Sequence, residues 1–182
     1  MVLAQVARGS VVRNRMMPFA YYDRLSARAK AIYRKSDAVT ELRLAAPELL
    51  HPLVRGLSEA LAGEKRAAVE LAAGYLARGL TDMLEVRPVR VQVLPVRPRS
   101  DWGELHGLYT PDDRRPPRID LWMRTAQHRR IVAFRTFVRT LLHELGHHLD
   151  YEYLKLADSF HTEGFFRRES SLFRQLIDET RS

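Results

Sequence analysis

The chain has 182 residues, of which 46% are hydrophobic, and a formal charge of +8. That length fits one globular domain, or a small domain with a helical extension, and the apolar content supports a core. The sequence contains no cysteine, which excludes disulfides, thiolate metal sites and cysteine nucleophiles, so any metal must be held by His, Asp or Glu.

In chain order, the opening segment MVLAQVARGSVVRNRMMPFAYY has basic residues but no compact apolar stretch followed by a small-residue cleavage site. A secretory leader is not expected, and no apolar run is long enough for a bilayer, so a cytoplasmic, membrane-free protein is the expectation. Residues 20–36 place Tyr22, Leu25, Ala29, Ile32 and Tyr33 at helical spacing. Pro47 and Pro52 in LAAPELLHPLVRG predict helix breaks, with His51 a surface or packing residue in a loop-like stretch. Residues 64–85 are Ala-rich and repeat Val69, Leu71, Ala72, Tyr75, Leu76, Leu80 and Leu84, which predicts a long helix.

The pattern changes near residue 86. This divides a helical N-terminal region (1–85) from a mixed region (86–182). VRVQVLPV sets Val89, Val91 and Val93 on one face, as a strand does. GELHGLYT suggests a second strand, PDDRRPP a stiff turn, and RIDLWMR a third strand with Ile119, Leu121 and Met123 on one face. Helical periodicity returns from about Ile131 to Tyr153. It returns again from Glu163 to Ile177, where Phe166, Leu172, Phe173, Leu176 and Ile177 share a side. Helices, a small sheet and two further helices make the α+β class.

The chemistry concentrates in LLHELGHHLDYEY, residues 141–153. His143, Glu144 and His147 form H-E-x-x-H, and histidines four apart on a helix lie one turn above each other, so both rings can reach one ion. Thr136, Thr140, His143, His147 and Asp150 make one polar stripe beside Phe134, Val138, Leu141, Leu142, Leu145 and Leu149. A solvated helix would not need that apolar flank. His148 lies off the stripe and reads as packing or surface. Zinc accepts neutral imidazole nitrogen, and catalytic zinc typically keeps three protein ligands and a water. Glu144 then serves as the general base toward that water. An extended motif fails for the third ligand, because the positions it needs are Asp150 and Tyr153. His161, Glu163 and Glu169 remain the choices, with Asp150 and Glu169 also placed to orient a ligand ring or, for Asp150, simply to lie on the surface. Tyr151, Tyr153 and Arg124 are candidates to stabilise an oxyanion, while Trp102 and Trp122 suit core or groove packing.

HELGHHLDYEY followed by SFHTEGFFRRESSLFRQL resembles the SprT-like, or Spartan-like, zinc metallopeptidases over roughly residues 89–178. In that family H-E-x-x-H on one helix is followed by a third histidine in an H-G-x-x-F-type segment that opens the next. His161 and Phe165 keep the spacing, with Thr162 in place of glycine. The resemblance implies a minimal zincin-like core with a small, mainly antiparallel sheet and Zn2+ held by His143, His147 and His161. It also implies a protein or peptide substrate, and RIDLWMR looks like the edge strand on which zincins hold it. The cysteine zinc ribbon that many members add is impossible here, which weakens transfer of their link to DNA. The alternative is a basic nucleic-acid-associated module with a structural metal. The charge favours it, but 26 of the 30 basic residues are Arg, spread along the chain without interleaved aromatics.

Overall fold

The computed structural model describes residues 19–100 and 103–177; Trp102 and most of the opening segment lie outside the described residues. A 3-10 turn at Tyr22–Arg24 precedes α1 (Ala27–Ala38), so the helix expected over residues 20–36 starts later. Ser26 sets that start: its hydroxyl accepts the Ala29 N–H at 3.1 Å and satisfies one of the donors a helix leaves unpaired. The two prolines begin structure instead of breaking it. Pro47 opens a 3-10 turn (Pro47–Leu50) that runs into α2 (His51–Ala62), where Pro52 occupies the first turn and its missing N–H costs nothing. His51 is therefore helical, and its Nε2 lies 3.0 Å from the Gln175 carbonyl, to which it donates. In α3 (Arg66–Met83), Val69, Ala73, Leu76, Ala77 and Leu80 are buried, whereas Leu71 and Tyr75 face solvent.

The strands are β1 (Arg90–Val96), β2 (Arg99–Ser100), β3 (Gly103–Glu104), β4 (Gly107–Thr110) and β5 (Arg118–Arg124). GELHGLYT is thus two short strands, interrupted at Leu105 and His106. β2 and β3 form a separate antiparallel pair. The main sheet has the order β1-β5-β4: β1 runs parallel to β5 from Arg90↔Arg118 to Val96↔Arg124, and β4 antiparallel from Gly107↔Leu121 to Thr110↔Arg118. Two expectations are corrected here. The sheet is mixed, not mainly antiparallel, and β5 is its central strand, not its edge. Asp120 and Trp122 are buried along with Ile119, Leu121 and Met123, so side chains on both faces of β5 are covered. The edge is β4.

After β5 come α4 (Phe134–Glu152) and α5 (Glu163–Ile177). α3 packs on β1 and α2, α4 on β4, β5 and α5, and α1 on α5. Leu57, Leu76 and Leu80, Val93, Ile119 and Leu121, and Leu141, Leu145, Leu172 and Leu176 belong to one buried cluster. The core is therefore continuous across residue 86, and α4 reaches the sheet with its apolar flank while His143 and His147 of its polar stripe line a cavity. Among the described residues no helix is long and apolar enough to cross a membrane. The architecture is α+β.

Candidate metal centre

His143 and His147 project from α4, and His161 from the segment just before α5. Their rings converge: Nε2 of His161 lies 3.0 Å from Nε2 of His143 and 3.1 Å from Nε2 of His147. Three nitrogens bound tetrahedrally to zinc at about 2.0–2.1 Å would sit about 3.3 Å apart; the two spacings to His161 are close to that, and all three ligand atoms lie within 4.8 Å of one another. The outer nitrogens say which way the protons point. His143 Nδ1 donates to Glu169 Oε2 at 3.1 Å, and His147 Nδ1 donates to Ser159 Oγ at 2.7 Å. With those protons on Nδ1, the Nε2 lone pairs of both rings face inward. Burial holds His147 down at about 3, with the neighbouring His161 and His143 adding to the effect. Burial, then His143, also lowers His161. His143, His147 and His161 together form a cluster that could hold a metal ion.

Ser159 continues the chain of contacts inward. Its hydroxyl donates to Asp150 Oδ2 at 2.7 Å, and Asp150 Oδ1 takes the Arg168 guanidinium at 2.7 Å. Asp150 is therefore neither a surface residue nor a direct partner of a ligand imidazole; it acts on His147 through Ser159. Nothing in the sequence spacing marks Ser159, because the contact arises from the turn that brings residues 153–162 back across α4. Glu169 takes the orienting role on His143, and its carboxylate points at Nδ1, away from the three converging Nε2 atoms. Glu163 pairs with Arg167 on the exposed side of α5.

Phe165 gives the H-x-x-x-F spacing a physical reason. Its buried ring lies 5.1, 4.9 and 5.3 Å from the rings of His143, His147 and His161, an apolar floor under all three. Thr162, where the family pattern has glycine, is buried and caps α5: its Oγ1 accepts the Phe165 N–H at 2.9 Å. Tyr21, from the helical half, donates its hydroxyl to the His161 carbonyl at 2.8 Å and so holds the third-histidine segment in place.

Glu144 faces a cavity of about 650 Å³ shared with the three histidines and walled by Leu105, Leu108, Tyr109, Pro111 and Tyr151. It is 7% exposed. Burial raises its pKa, against the opposing pull of His143 and a hydrogen bond from the Tyr109 backbone N–H. Gly107 permits this fit: a Cβ there would meet Glu144 Oε1 at 2.5 Å and Thr140 Cγ2 at 2.8 Å. Only glycine lets the edge strand lie so close to the helix.

His148 is fully buried. Its Nε2 donates to the Arg87 carbonyl at 2.7 Å and its Nδ1 accepts from the Tyr109 hydroxyl at 3.2 Å, tying β4 to α4. Of the proposed oxyanion stabilisers, Tyr151 lines the cavity and stacks on Tyr109 at 6.0 Å. Tyr153 is exposed and absent from the lining, and Arg124 is engaged with Glu64 at 2.7 Å. Trp122 is a core residue of β5. No protein-family model matches the chain, and no curated protein or solved structure matches it significantly.

Proposed function

We propose that the chain is a zinc-dependent peptidase with a zincin-like core, of the SprT-like kind. The observation that carries this reading is the convergence of three imidazole Nε2 atoms in a cavity that also holds Glu144 and borders the edge strand β4. Among the described residues the cluster offers three ligands, as an open catalytic site does, and a structural site would close with a fourth.

His143, His147 and His161 would hold the ion. Bound zinc supplies Lewis acidity, which polarises a carbonyl and lowers the pKa of water toward about 7. Glu144 takes the proton from the attacking water and returns it to the departing amine. The Tyr109 N–H and the tight seat against Gly107 fix the Glu144 carboxylate, and Glu169 and Ser159 fix the rings of His143 and His147. Of Tyr151, Tyr153 and Arg124, Tyr151 is the one that lines the cavity, and its hydroxyl would serve a developing oxyanion. An extended peptide would add to β4, while Leu105, Leu108 and Pro111 keep water from its side chains. Cutting therefore belongs beside residues 105–110, not beside β5.

Purified protein is expected to carry one zinc per chain and to cleave an unfolded protein, with both zinc and cleavage lost to a chelator and restored by zinc. His161→Ala should lose zinc, while Glu169→Ala should retain it with affinity lowered by about 10–100-fold. Elemental analysis of the two variants decides the ligand set: zinc kept in the first and lost in the second reverses it. Stoichiometric zinc with no hydrolysis of any peptide bond sinks the peptidase reading. A second expectation concerns Gly107→Ala. The added methyl displaces Glu144 without touching a ligand, so zinc should stay bound while kcat falls by about 10–100-fold. An unchanged kcat would mean that Glu144 does not need this seat.

A further inference from the structure

Arg139 lies on α4 one turn before His143 and, among the described residues, is the only lysine or arginine lining the cavity. Its guanidinium stacks on the Phe173 ring at 3.9 Å, with Arg135 on the same ring at 4.9 Å. The side chain is 49% exposed. The nearest carboxylate, Glu169, is 3.7 Å away, longer than a hydrogen bond, and Glu169 spends its other oxygen on His143. Among the described residues no hydrogen bond from the Arg139 guanidinium is present. Arg135 and Arg139 share the Phe173 ring beside a single carboxylate, Glu169, whose Oε1 forms a loose ion pair with Arg139 and whose Oε2 serves His143. The rim of the groove therefore presents a half-exposed guanidinium with hydrogen-bond donors to spare.

The direction of the groove says which part of a substrate meets that guanidinium. Gly107 sits against Thr140 and Glu144, and Tyr109 against His148 and Tyr151, so β4 and α4 run the same way. A peptide added to an edge pairs more stably when antiparallel. Such a peptide enters at the Tyr109–Pro111 end and leaves at the Leu105 end, past Arg139. One turn of helix is about 5.4 Å, or about two residues of extended chain.

We propose that Arg139 is a specificity-determining residue that receives an acidic side chain of the substrate, one to three residues to the C-terminal side of the bond cut. The inference rests on the peptidase reading and names its substrate class: peptides carrying Asp or Glu downstream of the cleavage point. A carboxylate matches the guanidinium fork with two parallel hydrogen bonds. The apolar walls at Leu105 and Leu108 suit a peptide passing in single file.

Two measurements on the zinc-loaded protein test this. In the first, a randomised peptide mixture is digested and the products are sequenced. Wild type should enrich Asp and Glu at the first to third positions after the cut, Arg139→Gln should lose the enrichment, and Arg139→Glu should shift it toward Lys and Arg. In the second, Glu144→Gln protein is titrated with fluorescent peptides that differ only in acidic against amide side chains. The acidic peptide should bind about tenfold tighter, with the difference abolished by Arg139→Gln. Preferences unaltered by either Arg139 variant overturn the proposal, as does acidic enrichment on the N-terminal side of the cut. Arg139-dependent binding of single-stranded DNA in place of the acidic peptide would also overturn it and assign the rim to nucleic acid. Acid-selective, Arg139-dependent binding without any cleavage would uphold the role of Arg139 while removing the peptidase reading.

Discussion

Glu144→Gln is expected to lower kcat by about 10²–10⁴-fold while leaving zinc content and folding intact. The size of the effect follows from the position of the side chain. Glu144 lies between His143 and His147 on α4, yet its carboxylate belongs to the cavity and is not one of the cluster's converging atoms. Burial raises its pKa, which makes the carboxylate a stronger base than an exposed glutamate, while the Tyr109 N–H keeps it oriented. Glutamine retains the volume that fits against Gly107 and Thr140, so the substitution removes basicity and little else. Single-turnover kinetics on a chromogenic peptide, with zinc measured in the same sample, separate the possibilities. A variant as active as wild type would falsify the base assignment. A variant that loses zinc would make Glu144 a ligand.

What the sequence reveals depends on how far apart the interacting residues lie. H-E-x-x-H and the bounds of α5 were legible because both are periodic within one helix, where i, i+4 neighbours share a face whatever the rest of the fold does. The pairing of His161 with that helix was legible through a segment pattern, and Phe165 shows why the pattern exists: it packs under all three rings. The place of RIDLWMR in the sheet was not legible. Alternation describes one face of a strand and is silent about which neighbours flank it, so a central strand with Asp120 and Trp122 also buried looks like an edge strand. The prolines at 47 and 52 are ambiguous in sequence for a related reason, since a proline that ends one helix and a proline in the first turn of the next leave the same mark. Asp150 posed the hardest case. Its spacing on the ligand face suggested direct contact with an imidazole, but Ser159, nine residues on, stands between them.

The link from Asp150 to Arg168 leads to the largest expected loss of stability. Arg168 is nearly fully buried and bridges three elements: it donates to the Ser36 and Val39 carbonyls of the helical half, to Ser36 Oγ, and to Asp150 on α4. Removing one partner of a buried pair strands the other charge, so Arg168→Met should cost about 3–5 kcal/mol, read as a lowered urea midpoint with an unchanged m-value. The same change frees Ser159 from a fixed Asp150, so zinc affinity should fall as well, although Arg168 touches no ligand. pH supplies an internal check. Burial already raises the Asp150 carboxyl, and Arg168 opposes that rise. Without the guanidinium the folded-state pKa climbs further above the unfolded value. The variant is then fully relieved below the ordinary carboxylate range and loses stability as pH rises through the elevated pKa. The gap between wild type and variant should therefore narrow on acidification and be widest at neutral pH. Arg168→Met combined with Asp150→Asn should recover part of the stability and flatten that pH dependence. A gap independent of pH would show that the arginine acts through its carbonyl contacts and not through the carboxylate behind His147.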